Sequence, residues 1–249
     1  MSPPEQDARI LGYGNEAVDR PIDAILDDAV TADPFKNGGK KKKKIDKCKA
    51  RARGKTLVIV AGGWKYATIE DEIFAIEKDS WKPTTADFKR TAELSKDTPL
   101  LASSPEQFFG HIARQPNNSV GRVVFIGHGG SGIVFSGDAG GFDGGRQLGK
   151  GELPGFQADI DNKVKPKLHR SAKIDLVTCW VGGNQDFMDA LTVAMDRCIR
   201  GFTSAIEFQN PVVQNKTITG RGLTRVSGSG NAYQKGWRHL RFQISVTPP

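Results

Sequence analysis

Arg122-Val-Val-Phe-Ile126 runs straight into Gly127-His-Gly-Gly-Ser-Gly132. Four apolar residues in succession, with no polar alternation, read as a strand buried on both faces, the pattern of a parallel sheet. The glycines end that strand and leave His128 at its carboxyl end. Upstream, Thr56-Leu-Val-Ile-Val-Ala61 is a second such strand, closed by Gly62-Gly63, and downstream Lys173-Ile-Asp-Leu-Val-Thr178 is a third, ending at Cys179.

Helix signals lie between the strands. In TIEDEIFAIEKD, Ile69, Ile73 and Ile76 recur at helical spacing, with acids in the first turn where the helix dipole favours them. Ser104-Pro105-Glu106-Gln107 supplies an N-cap, a proline at the first helical position and a capping-box Gln, and the helix it opens ends near Pro116. Asn184 caps a third helix with Phe187, Leu191, Met195 and Cys198 on its apolar face. Ile133-Val-Phe135 predicts a short β-hairpin, residues 137–170 are Gly-rich with one weak helix, and a further strand is expected over 201–206. Two β-like segments close the chain, Val212 to Thr219 and Arg238 to Val246, the latter with Leu240, Phe242, Ile244 and Val246 alternating with polar residues.

Strands alternating with helices predict an α/β domain: a mostly parallel sheet with helices on both faces, β-rich C-terminal additions, and chemistry at the carboxyl ends of the strands. The 249 residues are enough to bury a core without metal or disulfides. Three cysteines without Cys-x-x-Cys spacing argue against a disulfide framework or zinc ribbon and leave at least one thiol free. No apolar run approaches membrane-spanning length and no h-region follows the acidic start. The expectation is a cytoplasmic protein without membrane association, with delivery by a non-Sec route left open.

The net charge of +8 is uneven. Residues 1–35 carry −6, residues 36–55 carry +10 around Lys40 to Lys44, and residues 56–249 carry +4. Residues 1–55 therefore read as an acidic, then Lys-rich leader or linker, and 56–249 as the folded domain. A solvated linker is the preferred reading of 36–55; the others are a polyanion-binding patch, the only route by which nucleic acid would bind, and a segment that the acidic start folds against.

Gly127 to Gly132 fits G-x-G-x-x-G, but no helix opens after it to hold a pyrophosphate, so a dinucleotide site is not expected. A serine hydrolase would need a G-x-S-x-G elbow, which the chain lacks. Parallel neighbouring strands would instead bring His128 and Cys179 to one rim. There an imidazole would serve a thiol as general base, and the backbone N–H groups of Gly129 and Cys179 would bind an oxyanion. Buried packing is the competing reading of each residue alone; the flanking Gly129 and Gly182 mark turns where a backbone approaches a ligand.

The segments Val123-Val-Phe-Ile-Gly-His128-Gly129 and Ile174-Asp-Leu-Val-Thr-Cys179-Trp-Val-Gly182 resemble the caspase-like (clan CD) cysteine peptidases, nearest the bacterial CHAT and self-processing toxin protease branch. The 51 residues from His128 to Cys179 are close to the roughly fifty of caspases. The resemblance covers about residues 55 to 208. It implies a caspase-like three-layer sandwich and a cysteine endopeptidase with a Cys179 nucleophile, His128 in proton transfer, a Gly129 and Cys179 oxyanion site, no cofactor or metal, and a protein or peptide substrate. It further implies a bacterial effector or toxin role and a regulatory or inhibitory protein partner, with an inactive interaction scaffold as the alternative. The caspase Gln-Ala-Cys-x-Gly pattern is absent, and the metacaspase acid two residues before Cys is Val177 here, so no specificity role passes to Asp175.

Trp180 is the candidate for lining a substrate pocket, against a core reading. His111 is expected on a helix surface, His169 in a polar loop and His239 on the wet face of the last strand. Asp138 and Asp143 read as solvated turn residues.

Overall fold

In a computed structural model the described residues are 48–137, 145–208, 210–222, 224–226 and 236–248. All of them fall within the unit Lys44–Pro249. Of the leader expected over 1–55, residues 1–47 with the lysine run lie outside the described residues, as does the turn carrying Asp138 and Asp143.

The protein is an α/β structure built on a six-stranded, mostly parallel sheet. Its strands are β1 (Lys55–Ala61), β2 (Leu100–Ala102), β3 (Val120–Ile126), β7 (Leu168–Val177), β8 (Cys198–Gly201) and β13 (Ile244–Val246), in the order β13-β8-β7-β3-β1-β2. All neighbours run parallel except β13, which closes the edge antiparallel to β8. Residues 57–61, 123–126 and 174–177 are buried without a break. Since successive side chains point to opposite faces, both faces of the central strands are covered.

Five α-helices accompany the sheet: α1 (Ile69–Glu77), α2 (Thr85–Leu94), α3 (Pro105–Ala113), α4 (Leu153–Asp159) and α5 (Gln185–Met195). Caps fix their starts. Thr68 and Asp71 form a reciprocal capping box, as do Thr84 and Asp87, and the Asn184 Oδ1 accepts from Phe187 N at 3.0 Å. At α3 the Ser104 hydroxyl accepts from Gln107 N, but the Gln107 side chain reaches Ser103 N rather than the cap residue. The isoleucine stripe of α1 is not its buried face: Ile69 is half exposed, and Glu72 and Ala75 are the buried residues.

The hairpin expected at 133–135 is the middle of a small antiparallel sheet of β4 (Gly129–Gly130), β5 (Ile133–Gly137) and β6 (Gly145–Gly149). Further on, β9 (Ile206–Phe208) pairs with β12 (Thr224–Val226), and β10 (Val212–Gln214) pairs with β11 (Thr217–Thr219). Asn215 and Lys216, both at positive φ, form the turn between β10 and β11, as two-residue hairpins require.

Several expectations are corrected. Cys198 opens β8 instead of closing a helix face, because α5 stops at Met195 and Asp196 turns the chain through the left-handed region. Cys198 is disulfide-bonded to Cys48 across 150 residues, so only Cys179 is free among the described cysteines. His169 lies within β7, with Nδ1 2.7 Å from the Ser171 hydroxyl. His239 sits in a 3-10 turn (Trp237–His239), since only Ile244–Val246 of the last segment is strand. His111 is on helix α3 as expected, in its last turn, with Nε2 2.6 Å from the Leu101 carbonyl. Among the described residues no helix is long and apolar enough to cross a membrane.

Candidate active site

The β3 and β7 strands run side by side in the same direction, with Ile126 opposite Val177 and the Gly127 N–H donating to the Val177 carbonyl at 3.3 Å. His128 and Cys179 each stand two residues beyond that last pair, so both loops leave the same carboxyl rim. A Cβ built on Gly129 would lie 2.6 Å from Thr178 Cβ and 3.1 Å from the Cys179 carbonyl oxygen. A Cβ on Gly132 would strike the Asn184 side chain at 2.6 Å. The glycine loop after His128 therefore lies directly on the Cys179 loop and on the cap of α5, and glycine is what lets the two backbones meet. Gly182 serves packing rather than ligand approach: its Cβ would fall on Ile244 Cγ2 at 2.4 Å and on the Phe202 backbone.

Trp64, Phe88 and the Pro83 carbonyl hold the His128 ring. Trp64 and Phe88 stand edge-on to it, with centroids at 4.4 and 5.2 Å, and Nε2 lies 2.8 Å from the Pro83 carbonyl. A carbonyl oxygen only accepts, so Nε2 carries the proton and the lone pair of the neutral ring is on Nδ1. Burial pushes the His128 pKa below the usual 6.5; the Pro83 bond opposes that, and the Lys82 charge adds to it. A neutral imidazole at pH 7 follows.

The Cys179 sulfur is partly buried and engaged by β9: it accepts from the Ile206 N–H at 3.3 Å and donates to the Ile206 carbonyl at 3.4 Å. Burial pushes the thiol pKa up, the Ile206 backbone bond pulls it down, and the Glu207 charge raises it again. The resting pair is thus a protonated thiol and a neutral imidazole, not an ion pair. One strand touches both sides of the site: two residues beyond Ile206, Phe208 meets Phe88 edge-on at 5.6 Å, and Phe88 packs on His128.

Trp180 is not a core residue. It is half exposed, in the left-handed region at φ 59°, with its N–H donating to the Ser204 carbonyl at 3.1 Å. That conformation is strained for a bulky residue. Asp175 is fully buried, away from the rim. Its carboxylate accepts from Arg122 and from Arg200 at 2.6 and 2.7 Å, an internal charge cluster and not a specificity residue.

The chain matches no known family, curated protein or solved structure. Among the described residues no cluster of three or more His, Cys, Asp or Glu side chains could hold a metal ion. The sequence reading missed the Pro83 carbonyl, Phe88 and Ile206. α2 and β2 were not anticipated, and a backbone carbonyl or a short strand leaves no mark that a residue-type search would find.

Proposed function

We propose that the protein is a caspase-like cysteine endopeptidase with Cys179 as nucleophile and His128 as general base. The observation that carries this reading is the delivery of both residues to one rim by adjacent parallel strands, with the His128 loop lying on the backbone of Cys179. The sheet order supports the three-layer arrangement. The chain crosses toward β2 first and in the opposite direction afterwards, so right-handed crossovers would put α1 and α2 on one face and α3, α4 and α5 on the other.

In this mechanism the thiol proton passes to His128 Nδ1 as sulfur attacks the peptide carbonyl, and the tetrahedral oxyanion is held by the backbone N–H groups of Gly129 and Cys179. The imidazolium then gives its proton to the leaving amine, the C–N bond breaks, and an acyl-enzyme forms. A water deprotonated by His128 hydrolyses that thioester. Proton transfer concerted with attack suits a neutral pair, and Trp180 is the exposed aromatic next to the nucleophile against which a substrate side chain would pack.

Cys179→Ala and His128→Ala, assayed for self-cleavage and on a fluorogenic peptide library, are expected to lose cleavage by at least a hundredfold. Parent-like rates in both variants reject the dyad.

A second reading is favoured by one feature, the engagement of the Cys179 sulfur with both backbone groups of Ile206: a caspase-like interaction scaffold without proteolysis. Iodoacetamide separates the two. A peptidase thiol is protected from alkylation when peptide occupies the rim, whereas a scaffold thiol reacts at the same rate with and without peptide.

A further inference from the structure

The carbonyl that holds His128 belongs to the Pro83–Thr84 peptide bond, and the N–H of that same peptide donates to Asp87 Oδ2 at 2.8 Å. Asp87 is the third residue of α2, has no exposed surface, and takes two further bonds on that oxygen, from the Thr84 hydroxyl at 2.7 Å and from Arg221 at 3.1 Å. The other carboxylate oxygen is buried without a hydrogen-bond partner. The charge of Asp87 thus bears on one end of an amide group whose other end accepts from the imidazole.

We propose that Asp87 is a positioning residue for His128, acting through the Pro83–Thr84 peptide group, so that carboxylate, amide and imidazole form one polarised hydrogen-bonded chain. A carboxylate drawing on the N–H side increases the negative charge of the carbonyl oxygen, and linked hydrogen bonds strengthen one another in low dielectric. A more basic carbonyl holds the Nε2–H tautomer, leaves the lone pair on Nδ1, and stabilises the imidazolium when it forms. This is the service a carboxylate gives by direct contact in a Ser-His-Asp triad, here delivered one peptide unit away.

The peptide is fixed for this purpose. Thr85 N donates to the Trp64 carbonyl at 2.8 Å, the Thr85 hydroxyl donates to the Ala61 carbonyl at 2.9 Å, and Lys82 N donates to the Tyr66 hydroxyl at 2.7 Å. Lys82 is the charged group that acts on the imidazole directly, while Tyr66 and the Asp87 carboxylate of α2 reach it through the backbone N–H groups of Lys82 and Thr84, and Cys179 ends the neighbouring strand β7. Behind Asp87 stand Glu72 of α1 and Arg221, which bridges both acids. Arg221 brings the C-terminal segment into the chain of contacts.

The inference rests on the dyad reading for its catalytic use, but its test does not need activity. Imidazole 15N NMR of the full chain gives the His128 pKa and tautomer directly. In Asp87→Asn, which keeps the shape and an acceptor oxygen but drops the charge, the His128 pKa is expected to fall by about half a pH unit or more, with loss of part of the Nε2–H population. A folded Asp87→Asn protein with unchanged His128 pKa and tautomer overturns the proposal. Should that variant not fold, the parent decides. There the Thr84 amide proton is expected to shift along the His128 titration curve, separately from any step due to Asp87 itself, and an amide flat across that curve overturns it. A protein that passes these tests yet cleaves no peptide would reject the dyad and keep the coupling.

Discussion

Gly129 shows how narrowly the rim is fitted. Alanine there would place its Cβ within 2.7 Å of both the Cβ and the hydroxyl of Thr178, which is fully buried and has no room to retreat. Gly129→Ala is expected to cost about 1–3 kcal/mol, read as a fall in the urea midpoint, because overpacking must move the Cys179 loop or the His128 loop. Unchanged stability would mean that the two loops are not in contact. His128 adds a pH-dependent share. Its folded pKa is lowered, so as pH falls below the ordinary 6.5 the unfolded chain takes up a proton that the folded one resists. Stability is therefore lost on acidification from about pH 6.5 through the lowered folded value. His128→Phe keeps a ring between Trp64 and Phe88 but should lack that part of the slope. Equal pH slopes in denaturation of parent and variant would show that the imidazole titrates alike in both states.

At the scale of elements, what the sequence discloses depends on whether burial leaves a pattern. The unbroken apolar runs of β1, β3 and β7 marked themselves as parallel core strands, and Asn184 marked the start of α5 by its capping chemistry. α2 escaped because it has few apolar residues: TADFKRTAEL offers Phe88 and Ala92 to the core while Asp87 and Thr91 are buried through side-chain hydrogen bonds. Polar residues buried by pairing look like surface residues in a sequence. Cys198 was misread for the related reason that helical spacing continues one turn past the real end of α5. Its disulfide to Cys48 depends on tertiary placement that cysteine spacing cannot give. That bond ties the segment before β1 to the start of β8. Disulfides persist mainly in oxidising surroundings, which the cytoplasmic expectation did not include. Reduction, or Cys48→Ala, is expected to lower stability by about 2–5 kcal/mol, since the loop released is long. Thiol counting of the denatured, unreduced parent should find one free thiol, and three would exclude the bond.

Across the whole domain, the C-terminal segment acts on the sheet through charge and aromatic contacts more than through strands. Trp237 is fully buried, donates Nε1–H to Asp97 at 2.8 Å just beyond α2, and lies under the guanidinium groups of Arg122 and Arg238 at 4.5 and 4.7 Å. Arg122 in turn pairs with Asp175 in the middle of β7, and Arg200 of β8 meets the same carboxylate while packing over Phe242 at 4.5 Å. Removing one partner from such a cluster strands the others, a larger cost than any exposed ion pair would carry. Because Arg122 is shared, Trp237 and Asp175 should not behave independently. Trp237→Phe and Asp175→Asn are each expected to destabilise, and a double-mutant cycle in urea should show a coupling of at least about 0.5 kcal/mol. Strict additivity would mean that Trp237 merely covers the sheet, and that the C-terminal segment reaches the core of β3 and β7 by packing alone.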